Sequence, residues 1–561
     1  LRSRDPPEDE RDADAGIGAG SVMQAAGNSM PPATDTYAKA RSVGRALEEQ
    51  VELRGRETFL VAGDRSWTFQ ELASAAAAMA AGLHQLGVEP GDRMAIDLPN
   101  WPEFVISVFA AARLGAVVVP LNPGYTSREL QFMLRNSEAT VVVAAERFGG
   151  IDYLELFESL LFELPDLQYL VTVGDEDLWY DDRIFQFEDL VSSGQGRELP
   201  DVRIEPERDP FAIFYTPGTT GKPKGVMLSH VNLLRTAEAT AAALGQGPAD
   251  TTLCAVPLFH IFGFGTALLS SLVAGSKLVL QESFGPEAAL ALVEEHGITV
   301  LHGVPTMFVM LLRDEKLSGH HVSTLRTGII AGAPVSRALI GQVRRELAPQ
   351  LEIAYGLTET SPTVTITRPE DDEERRSATV GRPLPGVELR LLGEGGEPVS
   401  GEAVGEIAVR GYNVMLGYFR QPAETAASFT ADGFFRTGDL ARRDTKGYLQ
   451  VVGRKSDVII RGGYNVHPRE VENHLRSHPA VLDVVVVGVP NEVLGELVCA
   501  CVRPVEGAII TGEELRDYCR SALASYKVPD LVRFMDVFPM TAAGKPRRAE
   551  IARMIRSEAQ G

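Results

Sequence analysis

The stretch from Phe211 to His230, FAIFYTPGTTGKPKGVMLSH, decides how the chain is read. An apolar, strand-like run enters ten residues, Thr216 to Gly225, that hold three Thr, three Gly and two Lys. Glycines let backbone N–H groups approach an anion, and threonine hydroxyls add donors. Lys222 and Lys224 bring positive charge to a polyphosphate. The loop is not of the Walker kind, which needs two glycines further apart with Lys and Ser or Thr directly after the second. Here Gly218 and Gly221 are too close, and Pro223 follows Lys222. An ordinary turn before the helix that starts near Ser229 would not need this composition. The order strand, loop, helix predicts a phosphate-binding loop made by Thr216, Gly218, Thr219, Thr220, Gly221, Lys222 and Lys224.

Outward from this loop the chain alternates helical and strand patterns. Leu72 to Leu86 reads as a helix, and Thr126 with Glu129 as a capping box. Asp92 to Leu98, Val117 to Leu121, Thr140 to Ala144, Lys277 to Gln281, Val300 to Gly303 and Gly328 to Ala331 read as short apolar strands. Such alternation predicts layered α/β subdomains with largely parallel sheets, whose ligands lie beyond the carboxyl ends of the strands. From Gly381 the texture changes to Val, Gly and Pro with frequent turns, the mark of a β-rich subdomain over about residues 381–452. After a break near Gly453 to Asp457 a compact piece follows, with a helix opening at Pro468 and strands at Val484 to Val487 and Leu497 to Val502. The expected division is a disordered tail over 1–36, a large N-terminal domain over 37–455 and a small, mobile α+β C-terminal domain over 456–561.

Composition narrows the function classes. The 561 residues are 44% hydrophobic and 23% charged, as in ordinary globular proteins. Asp and Glu number 76 against 54 Lys and Arg, a net charge of −22 that argues against nucleic acid or an anionic membrane as partner. Four cysteines suit a reducing compartment, and no apolar leader is visible, so a cytoplasmic location is expected. The most apolar stretch, Phe104 to Pro120, carries Arg113 and is too short to span a membrane. Asp371 to Arg376 reads as a solvated charge run, Ser229-His230 as a helix start, and Cys499 and Cys501 as buried thiols on one strand face.

Further motifs follow in order: Pro257-Leu258-Phe259-His260, Gly332-Ala333-Pro334, Tyr355-Gly356-Leu357-Thr358-Glu359-Thr360, Phe435-Arg436-Thr437-Gly438-Asp439-Leu440, the run Gly453 to Glu472, and Gly544-Lys545. Their residue types suit ATP. Glu359 beside Thr358 offers a hard oxygen ligand for Mg²⁺, Tyr355 a flat face for adenine, and Gly332 to Pro334 a lean backbone wall. Asp439 can accept from ribose hydroxyls, and Arg454 donates in the same region. Taken singly, Glu359 reads as a first-turn carboxylate and Asp439 or Arg454 as half of a surface ion pair.

Together with the loop, these motifs resemble the adenylate-forming enzymes, the superfamily of acyl-CoA synthetases, firefly luciferase and nonribosomal adenylation domains. The likeness covers nearly the whole chain after the tail. It implies ATP, Mg²⁺ and CoA as cofactor and co-substrates, with Lys545, Thr216 and Glu359 as catalytic residues. It assigns the loop, Gly332, Ala333, Pro334, Tyr355, Gly356, Thr358, Glu359, Asp439, Arg454 and Lys545 to ATP or AMP, and Glu359 to the metal. Gly462, Gly463 and Tyr464 are implied on the CoA path, His260 and Gly303 at the acid pocket, and Ser456 at a hinge between the domains.

The resemblance implies a carboxylic acid activated through acyl-AMP and passed to CoA. The apolar segments Phe259 to Gly265, His302 to Phe308 and Ala331 to Ala333 favour an uncharged tail, with a medium- or long-chain fatty acid as the leading expectation. The alternatives are an acyl-AMP ligase that loads a carrier protein, and an aryl-CoA ligase. A homodimer is left open. Three positions depart from the family's pattern: Pro217 stands where Ser is common, Ser456 where Asp or Lys is usual, and Pro546 directly follows Lys545.

Overall fold

Strand Pro210–Thr216 is the first half of a hairpin, and the second half, Lys224–Ser229, runs antiparallel to it with Lys224 opposite Thr216. This corrects the expected order of strand, loop and helix. Helix His230–Leu244 begins only after the second strand, capped by Ser229. A run of six residues is too short for apolar periodicity to separate strand from helix. The computed structural model describes residues 41–561 apart from 177–180, 217–222, 402, 463, 492, 541–545 and 561.

The hairpin belongs to an eight-stranded sheet. Its order is Gly417–Tyr418, Lys224–Ser229, Pro210–Thr216, Val117–Pro120, Arg93–Asp97, Ala139–Ala145, Tyr169–Val173 and Ile184–Gln186. From Pro210–Thr216 onward the pairs are parallel. A nine-stranded sheet has a parallel centre of Gln350–Tyr355, Thr327–Ile330, Val300–Leu301, Thr251–Cys254, Lys277–Leu280 and Thr58–Ala62, flanked by antiparallel edges. The fold is therefore α/β, with layered sheets and helices, as the alternation predicts.

One apolar core joins both sheets. Helix Pro102–Leu114 lies in it, buried everywhere but at Arg113. The apolar stretch around Phe104 is thus a core helix, and no helix among the described residues is long and apolar enough to cross a membrane. Its N-terminal flank contributes a clasp. Asn100 Nδ2 lies 3.0 to 3.2 Å from the carbonyls of Cys254, Val256 and Gln281, and Oδ1 accepts the Leu258 N–H at 2.7 Å. One buried amide thereby fixes the loop that carries His260.

A four-stranded antiparallel sheet, Glu388–Leu392, Gly405–Arg410, Phe435–Arg443 and Leu449–Arg454, follows with its own apolar core. Strand Gly417–Tyr418 leaves this region to pair with Val226 and Met227 of the hairpin. Below it the charge run departs from expectation. Asp371 is buried and accepts from Tyr448 Oη, and Arg376 Nη2 reaches fully buried Glu352 at 2.5 Å. The Glu352 carboxylate, buried on strand Gln350–Tyr355, draws Arg376 inward, because an unpaired buried charge is costly.

In the C-terminal region Val481–Asn491 pairs with Gly495–Pro504 along almost its whole length. Alternate residues fill two cores. Val484, Val486, Val498 and Ala500 face Val471 and Leu475 of helix Pro468–Arg476. Val485, Val487, Cys499 and Cys501 face Ile551 and Ile555 of helix Arg548–Gln560. The period of two sends successive side chains to opposite faces. All four cysteines are buried, and none is in a disulfide.

Candidate active site

The carboxyl ends of the parallel strands deliver the candidate residues to one edge. Thr216 ends Pro210–Thr216, and Tyr355 ends Gln350–Tyr355. Gly332, Ala333 and Pro334 follow Thr327–Ile330 in a partly exposed loop, with Gly332 at φ +84°. Gly303 follows Val300–Leu301 and bridges to Ile330 in parallel fashion. Pro217, Gly218, Thr219, Thr220, Gly221, Lys222, Gly463 and Lys545 lie outside the described residues.

Asp439 is the best-anchored of the predicted residues. Tyr355 Oη donates to its Oδ2 at 2.8 Å, and Arg454 Nε to its Oδ1 at 2.9 Å. Its own N–H reaches Thr437 Oγ1 at 3.1 Å. The register of Phe435–Arg443 against Leu449–Arg454 sets Asp439 opposite Arg454. Each carboxylate oxygen keeps a second lone pair, so the group can still accept two hydroxyls. Burial, then the nearby Asp439 charge, raises the Tyr355 pKa well above the usual phenol value, so Tyr355 stays a donor. The Asp439 charge raises the pKa of Arg454.

Glu359 sits in the short 3₁₀ turn Thr358–Thr360. Its Oε1 accepts from Tyr418 Oη at 3.1 Å, and its carbonyl accepts the Met415 N–H at 3.0 Å. Burial first, then Glu359, raises the Tyr418 pKa and keeps this phenol protonated. Gly356, just before the turn, has no room for a side chain: a Cβ there would lie 1.6 Å from the Pro362 carbonyl oxygen. The segment Gly411 to Tyr418 is stitched over the site. Asn232 donates to the carbonyls of Tyr412 and Val414, and Leu416 N–H to that of Met227. This stitching brings Tyr418 to Glu359.

Lys224, predicted at the phosphate loop, pairs with Glu424, and its ammonium lies 4.9 Å from the centroid of the Tyr418 ring. Tyr418 thus touches both Glu359 and Lys224, a role the sequence reading missed. Glu359 and Tyr418 are 59 residues apart, and no local pattern joins them. Arg469 was missed as well. This partly buried residue of helix Pro468–Arg476 feels the charges of Asp439 and Arg454.

His260 is half-buried, with Nδ1 accepting the Phe262 N–H at 3.1 Å, just ahead of the π-helix Phe262–Leu269. His230 plays a packing part: its Nδ1 accepts the Val43 N–H at 3.1 Å and its ring stacks on Phe211. Gly462 is at φ +57° on the turn between Ile459–Arg461 and Tyr464–Val466. Exposed Tyr464 stacks on Tyr526, with centroids 4.8 Å apart. Arg461 braces the hairpin with two bonds to Asp530, at 2.6 and 2.8 Å. Ser456 lies exposed in the turn Lys455–Asp457, where its Oγ lies 3.1 Å from Asp457 Oδ1.

Residues 47–419 match the family model of the AMP-binding enzyme, and residues 470–545 that of the AMP-binding enzyme C-terminal domain. A mitochondrial medium-chain acyl-CoA ligase of Danio rerio is 32% identical over 560 residues, spanning 93% of this chain and 91% of its own. A methyl-dioxo-octahydroindenyl-propanoyl:CoA ligase of Mycobacterium tuberculosis is 36% identical over 520 residues, spanning 91% and 98%. The crystal structure of an anthranilate CoA ligase in complex with anthranoyl-AMP superposes with a TM-score of 0.85 at 26% identity, over 94% of this chain and 99% of that one. With both family models matched in order, the chain belongs to the AMP-binding enzymes, the adenylate-forming superfamily, as an acyl-CoA ligase.

Proposed function

We propose that this protein joins an uncharged-tail carboxylic acid to CoA at the expense of ATP, with a medium- or long-chain fatty acid as substrate. A carboxylate oxygen attacks the α-phosphorus of ATP, the bond to the bridging oxygen breaks, and pyrophosphate leaves. The CoA thiol then gives up its proton as its sulfur attacks the acyl carbon, and AMP departs. The observation that carries this reading is the Asp439 carboxylate, buried, oriented by Tyr355 and Arg454 and still able to accept two hydroxyls.

In this reading Asp439 binds the ribose hydroxyls, and the Tyr355 ring and the Gly332–Pro334 loop hold the adenine. Thr216 and the following loop hold the phosphates. Lys545 offers a cation to the charge that builds at the α-phosphoryl group, the kind of preorganised stabilisation worth most in a water-poor site. Glu359 is a half-buried carboxylate with one oxygen steadied by Tyr418 Oη, which fits a hard divalent cation. Among the described residues no three His, Cys, Asp or Glu side chains gather as a metal cage. Mg²⁺ is commonly held by one or two carboxylates together with substrate phosphates, and there it would neutralise phosphate charge. Glu359 with Thr358 would hold it here. His260 and Gly303 border the acid, and Gly462, Gly463 and Tyr464 the CoA arm. Residues 37–455 and 456–561 are proposed as the two moving bodies, hinged at Ser456.

The test is acid-dependent pyrophosphate release from ATP and Mg²⁺, with and without CoA, across acetate, medium- and long-chain fatty acids, benzoate and coumarate. Acyl-CoA from one chain-length class supports the reading. Acyl-AMP that accumulates despite CoA would move the protein to the ligases that serve carrier proteins. A second reading, an aromatic acid, draws support from the likeness to the anthranilate CoA ligase, and benzoate turnover without fatty-acid turnover would favour it.

A further inference from the structure

His302 follows strand Val300–Leu301 and is fully buried. Its Nδ1 accepts the N–H of Ile329 on the neighbouring strand at 3.2 Å. Burial holds its pKa down at about 3, so the ring is neutral at physiological pH. A neutral imidazole that accepts at Nδ1 carries its proton on Nε2. That Nε2–H is buried and has no hydrogen-bond partner among the described residues.

Two hydroxyls share this condition nearby. The His302 ring meets Phe262 edge to face, with centroids 6.3 Å apart, and Phe262 opens the π-helix Phe262–Leu269. Thr266 lies on the same helix, and its Oγ1 is buried without a partner among the described residues. Gly265 of that helix packs on Ser361-Pro362: a Cβ there would lie 2.7 Å from Pro362 Cδ. Ser361 Oγ is the third buried polar atom without a partner among the described residues. Nearly all buried polar groups in folded proteins find a partner, and π-helical turns concentrate at functional sites. Three such atoms around one π-helix, directly after His260, border the place where the proposed reading runs the acyl tail.

We infer that the preferred acid carries a hydrogen-bond acceptor, an oxo oxygen, along its otherwise uncharged tail, and that this oxygen takes the Nε2–H of His302 beside the hydroxyls of Thr266 and Ser361. The inference rests on the acid-activating reading and makes His302 a specificity-determining residue within it. The donor explains the choice of acceptor: Nε2–H can only donate, whereas the hydroxyls can do either. A wholly hydrocarbon tail would leave the donor unpaired in the complex.

The test compares kcat/KM for pyrophosphate release with octanoate, its mono-oxo isomers, benzoate and the acetylbenzoates. It uses the full-length enzyme and the variants His302→Phe and His302→Gln. The native enzyme should favour at least one oxo acid over its parent by about tenfold or more, the factor expected for one buried hydrogen bond. In His302→Phe that ratio should fall to about one whatever the absolute rate, and in His302→Gln, which keeps a donor, it should be partly restored. Equal or poorer use of every oxo acid by the native enzyme would overturn the inference, and so would a preference that survives His302→Phe. Octanoate or benzoate turnover in that case would leave the acid-activating reading standing. Release with none of the acids would overturn both.

Discussion

Asp439 and Arg454 face each other across two antiparallel strands, and the carboxylate accepts the guanidinium Nε–H at 2.9 Å. The Asp439 side chain is only 5% exposed, whereas that of Arg454 is 50% exposed. The pair is therefore a buried acceptor held by a cation that reaches it from the surface. Tyr355 Oη completes the grip from the nine-stranded sheet, so three separate strands agree on the position of one carboxylate. Such agreement preorganises an acceptor for a diol.

Asp439→Asn keeps the shape of the side chain and removes its charge. Hydrogen bonds to charged groups are the stronger class, so pyrophosphate release at low ATP should fall about tenfold to a hundredfold. The loss should appear mainly in the KM for ATP, with the KM for the acid little changed. Steady-state kinetics with each substrate varied in turn checks this.

Tyr418→Phe removes the hydroxyl that steadies Glu359 and keeps the ring over Lys224. The variant should fold normally and need more Mg²⁺ for half-maximal adenylation, by roughly threefold to tenfold, the equivalent of one ordinary hydrogen bond. A Mg²⁺ titration at saturating ATP reads the shift.

Asp97 ends strand Arg93–Asp97 with both carboxyl oxygens buried and without a partner among the described residues. Burial pushes its pKa up to about 7. The unfolded value is about 3.9, so between about pH 4 and 7 the folded state binds the extra proton. The contribution to stability is full below about pH 4 and is lost as pH rises toward 7, by up to about 1.4 kcal/mol per pH unit. Asp97→Asn, which stays neutral, should match the native protein at pH 4 and exceed it in urea midpoint at pH 8. A midpoint difference that does not change with pH would contradict this account of Asp97.

Lys545→Ala should depress acyl-AMP formation strongly, by about a hundredfold or more for a preorganised charge in a dry site, while thioester formation from supplied acyl-AMP persists. Gly463→Leu should do the reverse, sparing a single turnover of pyrophosphate release and blocking acyl-CoA formation. Single-turnover assays of the two half-reactions separate these outcomes, and equal loss of both steps in either variant would remove its assigned role.

Much of the fold was legible because it is written locally. The Thr126–Glu129 capping box, the apolar strands Val300–Leu301 and Thr327–Ile330, and the alternating valines of Val484 to Val487 are local features. What stayed hidden is non-local. The strand Lys224–Ser229 is indistinguishable in six residues from the start of a helix. Arg376 looks solvated until Glu352, 24 residues earlier and fully buried, draws it in, and Asp371 until Tyr448 Oη, 77 residues later, donates to it. The motif residues proposed for the candidate site are read by type and order alone. The groups that orient them, Tyr418 and the Asn100 clasp, come from distant segments whose approach only the three-dimensional fold reveals.

The central claim is that the carboxylate oxygen attacks the α-phosphorus of ATP and that CoA then displaces AMP. The most direct measurement supplies an acid labelled with heavy oxygen in its carboxylate, together with ATP, Mg²⁺ and CoA, and follows the label by mass spectrometry. One labelled oxygen should appear in AMP, none in pyrophosphate, and acyl-CoA should form in equal amount. Label in inorganic phosphate or pyrophosphate, or acyl-CoA formed without labelled AMP, would contradict the account.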